Sequence, residues 1–341
     1  MKQVSVIGLD LAKNVFQVHG VDEQCKVVLR KQLRRSTMLK FFARLRSCLI
    51  GIEACASGHY WHRELTRLGH DVRMMAPVFV KPYLKSNKND RNDAEAICEA
   101  VQRPSMRFVR PKTVDEQSIL HAHHARRLLI QQRVALGNHI RGMLLEFGLT
   151  ITAGSKALNK RIPEILEDAE NQMPMLSRHM LSLLKEQYDQ LVEQADQLEN
   201  QIKARNQQDE VSQRLMDIPG VGPLNASALS ATLGNGSNFR SGRQFSAYLG
   251  LVPRQWSSGG KDRLLGISKR GDSYLRTLLI HGARTVIRHI RRRLEAGLDG
   301  GNVWIENLLQ RCHPNEVAVA LANKMARIAW ALTVHKQAYA G

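Results

Sequence analysis

The sequence predicts a mixed α/β domain followed by a long, mostly helical region. Between residues 3 and 101, short apolar or alternating runs are interleaved with helical patterns in the order βββαβαβα. Such mixed ordering implies a central sheet with helices packed on it. From residue 114 onward, apolar residues recur at helical spacing. With 341 residues, 43% of them hydrophobic, the chain can build two or three domains with real cores.

The elements of the first region follow from local patterns. Three consecutive strand-like runs predict a meander at the N-terminus. Ser36 and Thr37 precede the first helical pattern as N-cap candidates, and Gly69 ends the second helix. The predicted strands are 3–9, 14–21, 26–32, 48–52 and 71–77, and the predicted helices are 38–45, 60–68 and 90–101.

The second region is predicted to be a helical hairpin or linker. One helix is expected from Val114 to about Phe147. After a weakly patterned segment, apolar residues alternate steps of four and three, as in a coiled-coil seam. That pattern is formed by Leu184, Tyr188, Leu191, Ala195, Leu198 and Ile202. A plain packed hairpin within one chain is an equal alternative. Because the composition shifts near residue 211, we predict domains at 1–112, 113–210 and 211–341.

The charge of the chain points to a polyanionic partner. Lys and Arg number 50 against 31 Asp and Glu, a formal charge of +19. Between Arg240 and Arg293, thirteen Lys and Arg face two Asp, which puts +11 of that excess in one segment. Such density favours binding of nucleic acid through counterion release, and a merely solvated basic face is the alternative.

The chain shows no sign of a membrane or of an oxidising compartment. No uncharged apolar run approaches the roughly 18 residues that span a bilayer, and the N-terminus lacks a signal-peptide pattern. The five cysteines are scattered without a C-x-x-C pair, so we expect reduced structural thiols. These observations predict a soluble cytoplasmic protein.

Four carboxylates occupy positions that suit a metal site. Asp10 ends the first strand, Glu53 ends the fourth, and Asp90 and Asp93 lie three apart at the start of a helix. Strand ends converge at one edge of a sheet, so these oxygens could surround Mg²⁺, and two ions could act on a phosphodiester. Taken singly, each has a structural alternative: a turn residue, an exposed strand end, or, for Asp90, a helix N-cap.

Two glycine-containing segments of the third region suit phosphate chemistry. Gly220 and Gly222 form a turn before a helical pattern, as in helix-hairpin-helix modules that hold DNA phosphates with backbone N–H groups. Ser258 precedes two glycines, and Arg254, Lys261 and Arg263 surround it. A serine beside cations can act as a nucleophile toward phosphate, and a flexible loop is the alternative.

The three histidines at 121, 123 and 124 invite a metal site. No carboxylate or further ligand at the following helical turn supports that interpretation. We therefore predict that they form a polar helix face.

Five motifs in order resemble the DEDD transposases of bacterial insertion sequences, related to the pilin-gene invertase and guided by a noncoding bridge RNA. The resemblance runs from residue 3 to beyond residue 290. The motifs are Gly8-Leu-Asp-Leu-Ala-Lys13, Ile52-Glu-Ala54, Lys88-Asn-Asp-Arg-Asn-Asp-Ala94, Ile218-Pro-Gly-Val-Gly222 and Gly250-Leu-Val-Pro-Arg-x-x-Ser-Ser-Gly259. The Cys55–Gly58 loop is longer than in many relatives, and Ser257 precedes the family serine.

The resemblance implies a RuvC-like domain of the ribonuclease H fold, a coiled-coil linker and a mostly α transposase domain with a helix-hairpin-helix element. It implies that Asp10, Glu53, Asp90 and Asp93 bind two Mg²⁺ or Mn²⁺ ions and that Ser258 forms a covalent phosphoserine link to DNA. The serine of one subunit would act with the metal domain of another, in a tetramer built from dimers. The nucleic-acid-binding residues would be Gly220, Gly222, Arg254, Lys261, Arg263, Lys269 and Arg270.

The expected partners are double-stranded DNA at the element ends and the target, together with a noncoding guide RNA. The expected location is the bacterial cytoplasm, at the nucleoid during action. Three alternatives stay open: a metal-dependent nuclease or junction resolvase that uses water, a non-catalytic nucleic-acid-binding protein, and a sugar-kinase or actin-like ATPase with a similar strand order.

Overall fold

The chain forms two compact units, Met1–Val114 and Asp115–Gly341. A computed structural model describes residues 3–85 and 89–340. Lys88, the first residue of the third motif, lies outside the described residues. The predicted boundary at 112 falls close to the division between the units, and the further division at 210 stays a prediction.

The first unit is a six-stranded mixed sheet with helices. The strand order is β3-β2-β1-β4-β5-β6, with β1 parallel to β4 and β4 parallel to β5, and the other pairs antiparallel. The strands are β1 Val6–Asp10, β2 Val15–Val21, β3 Val27–Arg34, β4 Leu49–Glu53, β5 Asp71–Met75 and β6 Phe108–Val109. The helices are α1 Met38–Phe42, α2 Gly58–Arg67, α3 Pro77–Val80 and α4 Asp90–Val101, with 3₁₀ turns at Arg35–Thr37 and Lys81–Tyr83.

The predicted mixed α/β character of this unit is confirmed. Each predicted strand is present within a few residues, and the helix at 90–101 has the predicted bounds. Thr37 is the N-cap residue of α1, as predicted, but its hydroxyl donates to the Arg34 carbonyl and does not accept from the helix. α3 and β6 were not predicted, since they are too short to show a periodicity.

The second unit is helical apart from one small hairpin. Its helices are α5 Val114–Leu145, α6 Ser155–Glu167, α7 Met175–Gln207, α8 Glu210–Met216, α9 Pro223–Leu233, α10 Gly242–Tyr248, α11 Ser273–Glu295, α12 Val303–Arg311 and α13 Pro314–His335. The hairpin strands are β7 Pro253–Gln255 and β8 Leu264–Ile267. The weakly patterned segment contains α6, which accommodates Pro163 in its interior.

The seam of α7 is covered by helices of the same chain. α5 and α7 run antiparallel, since Arg126 near the start of α5 pairs with Glu199 near the end of α7. At the opposite end, Ile140 and Leu144 share a buried cluster with Tyr188 and with residues of α6. This packing favours the plain hairpin within one chain over an unsupported linker.

α13 is a core helix of the second unit. Among the described residues it is the one helix long and apolar enough to cross a membrane, yet half of its apolar window is buried inside the protein. Ala318, Ala322 and Ala329 are fully buried in the cluster that also holds α9 and α11. The apolar residues of α13 are thus explained by packing within the second unit.

The cysteines are unpaired, as predicted, and all five lie among the described residues. Burial raises the pKa of Cys48 to about 11 and that of Cys98 to about 12. Both thiols therefore stay protonated at neutral pH and act as apolar packing groups.

The prediction of a polar histidine face is wrong for His123. His121 and His124 are exposed, whereas His123 is fully buried. Its Nδ1 lies 2.9 Å from the Tyr274 hydroxyl, and its Nε2 lies 3.2 Å from the Ser227 hydroxyl. Hydrogen bonds to α11 and α9 thus satisfy both ring nitrogens, and they tie α5 to the core of the second unit.

The buried imidazole makes the stability of the second unit depend on pH. Burial first, and then the charges of Arg126 and His124, lower the pKa of His123 to about 4. The unfolded chain takes up this proton near pH 6.5. The contribution of neutral His123 to the free energy of unfolding is therefore fully present above pH 6.5. It is lost as the pH falls toward 4, and it amounts to a free energy on the order of 3 kcal/mol.

We expect His123→Gln to flatten the fall in the free energy of unfolding between pH 6.5 and 4. Urea unfolding at several pH values measures it, with His121→Gln on the same helix as control. His59 in the first unit also has its pKa lowered to about 4, so the comparison is between variant and wild type. Equal pH slopes for both variants would contradict the role of His123.

Candidate metal centre and basic hairpin

Three of the four predicted carboxylates lie together in the first unit. Oxygens of Asp10, Asp90 and Asp93 all lie within 4.8 Å of one another. Asp10 and Asp93 are half-buried, and Asp90 is exposed. The cluster therefore joins the end of β1 to the first turn of α4.

Glycines in the sheet allow α4 to lie this close to β1. A Cβ on Gly8 would stand 2.0 Å from the Ala94 carbonyl oxygen and 2.4 Å from the Cys98 nitrogen, both in α4. On the neighbouring strand β4, a Cβ on Gly51 would stand 2.7 Å from the Val101 Cβ. Contacts below 3.0 Å force something to shift, so the absent side chains fix the position of the helix.

The start of α4 is set by Asn89 and not by Asp90. The Asn89 side chain accepts a hydrogen bond from the Asn92 amide at 2.9 Å, so the interpretation of Asp90 as N-cap is wrong. Asp90 is the first helical residue, and Asp93 lies one turn further along. The positive end of the helix dipole stabilises carboxylates at these positions.

Glu53 stands outside the group of three. It ends β4, the parallel neighbour of β1, and the register pairs Leu9 with Ile52, one residue before each carboxylate. Adjacent strands lie about 4.8 Å apart, so the Glu53 backbone borders the cluster. Its role as a fourth ligand stays a prediction.

The donor set suits a hard divalent cation. Three carboxylates this close repel one another unless a cation or protons neutralise them. Mg²⁺ and Mn²⁺ prefer such oxygens. Lys85 does not serve this purpose, because it pairs with Glu95 and Glu99 at 3.3 and 3.1 Å.

Ser258 lies at the tip of the β7–β8 hairpin in the second unit. Gly259 and Gly260 have φ of 57° and 75°, and the Lys261 amide donates to the Ser258 carbonyl at 3.1 Å. Two consecutive positive φ values make a tight turn of the type that suits hairpins. The Ser-Ser-Gly-Gly stretch is therefore an ordered turn and not an irregular loop.

The two adjacent serines point to opposite faces of this hairpin. The Gln255 amide nitrogen donates to the Ser257 hydroxyl at 2.9 Å and to the Asp262 carboxylate at 3.1 Å, so these three side chains share one face. Alternation along a strand places Ser258 on the other face, beside its cross-strand partner Lys261. Within the described residues, the Ser258 hydroxyl has no hydrogen-bond partner, whereas the Ser257 hydroxyl does.

The glycine turn between α8 and α9 is packed against α11. Gly220 has φ of 86°, and a Cβ there would stand 2.7 Å from the Gly282 carbonyl oxygen; a Cβ on Gly282 would stand 2.1 Å from the Gly220 carbonyl oxygen. The Asn225 side chain donates to the Gly220 carbonyl at 3.2 Å. Gly222, the N-cap of α9, is exposed with open space around it. Gly220 thus serves packing, whereas Gly222 leaves the backbone at the start of α9 exposed.

The basic segment is not uniform. Arg276 donates to the carbonyls of Leu249 and Arg270 at 2.9 and 3.1 Å, which is a structural role. The predicted nucleic-acid-binding cations are all exposed: Arg254, Lys261, Arg263, Lys269 and Arg270. A cleft on α11 is lined by four exposed arginines, Arg284, Arg288, Arg291 and Arg292. They were not among the predicted sites, although their spacing of three and four residues places them on one face of a helix.

Comparison with known proteins places both units in one group. Residues 212–297 match the family described as the IS116/IS110/IS902 family of transposases, and residues 7–148 match the DEDD transposase family of IS110. The chain is 50% identical over 337 residues to a probable family 20 transposase of Pseudomonas aeruginosa, covering 98% of each chain. It is 44% identical to the transposase for insertion sequence element IS1328 of Yersinia enterocolitica, again covering 98% of each chain.

A more distant similarity involves the pilin gene-inverting protein of Moraxella bovis. The identity is 25% over 289 residues, which cover 80% of each chain. The resemblance drawn from the five motifs is thereby confirmed.

We expect Gly8→Ala to destabilise the first unit by about 1–3 kcal/mol, because the added methyl overpacks the contact with α4. The shift of α4 would also weaken any stabilisation by divalent cations. Urea unfolding with and without Mg²⁺ measures both effects. Gly142→Ala in α5, where a Cβ meets nothing within 4 Å, is the control and should not destabilise the protein. Normal stability and cation response in Gly8→Ala would contradict the packing argument.

Removing one carboxylate of the cluster should uncouple stability from divalent cations. In Asp93→Asn the increase in the thermal midpoint on adding Mg²⁺ or Mn²⁺ should be lost, because one carboxylate oxygen of the cluster is replaced by a neutral amide. Asp71→Asn is the matched control, since Asp71 pairs with Arg73 at 2.9 Å on the surface. An undiminished metal response in Asp93→Asn would exclude this cluster as the binding site.

Proposed function

This chain belongs to the IS116/IS110/IS902 transposase family, whose members cut and join DNA. We propose that it does so through a covalent bond between Ser258 and a DNA phosphate. The observation that carries the proposal is the turn of the β7–β8 hairpin, where Ser258 pairs with Lys261 across the two strands. The neighbouring Ser257 is held by Gln255 on the opposite face.

The first unit would be a RuvC-like domain of the ribonuclease H fold that binds two Mg²⁺ or Mn²⁺ ions. Support comes from its strand order, an antiparallel meander followed by parallel strands, and from the carboxylates grouped at the end of β1 and the start of α4. Asp10, Asp90 and Asp93 would hold the ions, with Glu53 as a further ligand. When bound, such ions would supply stabilisation of the negative charge on the attacking and leaving oxygens.

The proposed reaction exchanges one phosphodiester bond for another. The Ser258 Oγ attacks the phosphorus and loses its proton, a Ser Oγ–P bond forms, and the P–O bond to the 3′ oxygen breaks. The leaving 3′ oxygen takes up a proton and becomes a free hydroxyl. A 3′-hydroxyl of another strand then attacks the phosphoserine, which restores the serine, so no external energy source is needed.

The cations around the hairpin would hold the phosphate during both steps. Lys261 and Arg263 flank the serine, and their charges would offset the charge that develops on the phosphate oxygens. Arg254, Lys269 and Arg270 would extend this surface along the DNA. Exposed backbone at Gly222 would contact a phosphate without reading sequence, with Gly220 shaping the turn.

The partners would be double-stranded DNA at the element ends and the target, together with a noncoding guide RNA that supplies sequence recognition. The +19 charge of the chain supports binding of two polyanions. We further propose that dimers assemble into a tetramer in which the serine of one copy acts with the carboxylates of another. The protein would act at the bacterial nucleoid.

Ser258→Ala should abolish a covalent protein–DNA adduct, whereas Ser257→Ala should retain it within a few-fold. The adduct is measured under denaturing conditions after the full chain is expressed with a plasmid that carries the complete element and its flanking noncoding DNA. The physical reason is that only the Ser258 hydroxyl lies on the cationic face of the hairpin.

The same assay separates the alternatives. Cut DNA without any adduct in the wild-type protein would favour a nuclease that uses water. Recombination by Ser258→Ala would overturn the proposal. Full function in Asp10→Ala and Asp93→Ala would favour a non-catalytic binding protein.

A further inference from the structure

The face of the β7–β8 hairpin that carries Ser258 also carries an exposed tryptophan. The Trp256 amide donates to the Arg263 carbonyl at 2.9 Å, which continues the register set by the Ser258 and Lys261 pair. Alternation then places Trp256 and Ser258 on the same face, about 6.6 Å apart along the strand. Arg263 and Lys261 lie opposite them on that face.

This tryptophan differs from the others in the chain. Its exposure is 73%, whereas Trp61 is 2% exposed in the core of the first unit. The Lys324 ammonium lies over the Trp304 ring at 4.7 Å, and the Trp330 indole donates to the Gly236 carbonyl at 3.2 Å. Within the described residues, the Trp256 ring has neither a ring contact nor a hydrogen bond.

The charges of the hairpin select the kind of partner that would cover this ring. The carboxylate of Asp262 is held on the opposite face by Gln255 at 3.1 Å. The tryptophan face therefore presents two cations beside a large flat apolar surface. A nucleotide has the complementary form, an anionic phosphate joined to a base with a π-face. An apolar protein surface would match the ring but not the two cations.

We propose that Trp256 stacks on an unpaired nucleobase next to the phosphate that Ser258 attacks, and so positions that nucleotide. The inference rests on the proposed role of Ser258 for the identity of the phosphate. Bases inside a duplex are already stacked on both sides, so the ring would bind a single-stranded or locally opened segment. Stacking is tolerant of sequence, because every base has a π-face.

The test measures binding in a Ser258→Ala background, so that it does not depend on covalent chemistry. The probe is an oligothymidylate of about 12 nucleotides, a length that covers a typical single-strand site. Trp256→Leu should weaken its binding about 5-fold to 100-fold, and Trp256→Tyr should retain most of it, because tyrosine keeps an aromatic face. The slope of log affinity against log salt should stay unchanged, since no phosphate contact is removed.

The matched control is Leu264→Ala. Leu264 is an exposed apolar residue that pairs across the hairpin with Gln255, so it lies on the face opposite Trp256. It should leave binding unchanged. Quenching of tryptophan fluorescence by the oligonucleotide should also fall in Trp256→Leu. Thermal unfolding checks that each variant is folded. We expect that they are, because the Trp256 and Leu264 side chains are both exposed.

Three results would overturn the proposal. Equal losses in Trp256→Leu and Leu264→Ala would mean that the aromatic face has no specific role. Equal oligonucleotide affinity in Trp256→Leu and Trp256→Tyr would indicate apolar packing without stacking. A change in oligomeric state on sedimentation without a loss of binding would make Trp256 a contact between copies of the chain. Absence of an adduct in the wild type, with stacking intact, would instead refute only the role of Ser258.

Discussion

The carboxylate cluster of Asp10, Asp90 and Asp93 depends on one close contact, the approach of α4 to the strands β1 and β4. The helix rests on Gly8 and Gly51, positions where even a methyl group would collide with its backbone or with Val101. Any side chain at these two positions would push the helix away from the strands. The absence of side chains there therefore fixes the distance between α4 and β1, and with it the spacing of the carboxylates. Asn89 then sets where the helix begins, and so brings Asp90 and Asp93 to Asp10. Removing carboxylates from water and crowding them costs free energy, which a divalent cation would offset.

The hairpin of the second unit sorts its side chains by the simple alternation of a strand. Two residues with positive φ at the turn fix the register, and the register decides which neighbour faces which surface. One face collects a hydrogen-bonded polar group, and the other collects cations, an aromatic ring and an unengaged hydroxyl. A shift of register by one residue would exchange the two sets completely. The chemical difference between Ser257 and Ser258 is thus a property of backbone geometry, since the two side chains are identical.

Sequence alone predicts those parts of the structure whose causes are local. The helix at 90–101 and the strands of the sheet show strong periodicity. The Asp10 carboxylate at the end of β1 lies beside those of Asp90 and Asp93 at the start of α4, whereas Glu53 at the adjacent strand end is outside that group. The helix around Pro163 was missed, because proline in a helix interior is usually disruptive and the packing that tolerates it involves distant residues. The burial of His123 was missed for the same reason, since its partner Tyr274 lies 151 residues away in the chain. The order of the Ser258 hairpin escaped prediction because its strands are too short to show a pattern.

The reciprocal contact of Gly220 and Gly282 has a consequence for the history of such a protein. At each position the obstacle to a side chain is the other residue's backbone carbonyl, which no substitution can remove. A mutation at one glycine therefore has no compensating mutation at the other, unlike a pair of side chains that can exchange large for small. In a protein with a substitution at either glycine, a whole helix would have to shift before the turn could form again. A substitution at either glycine should therefore be corrected only by reversion to glycine, and not by a second substitution elsewhere in the pair.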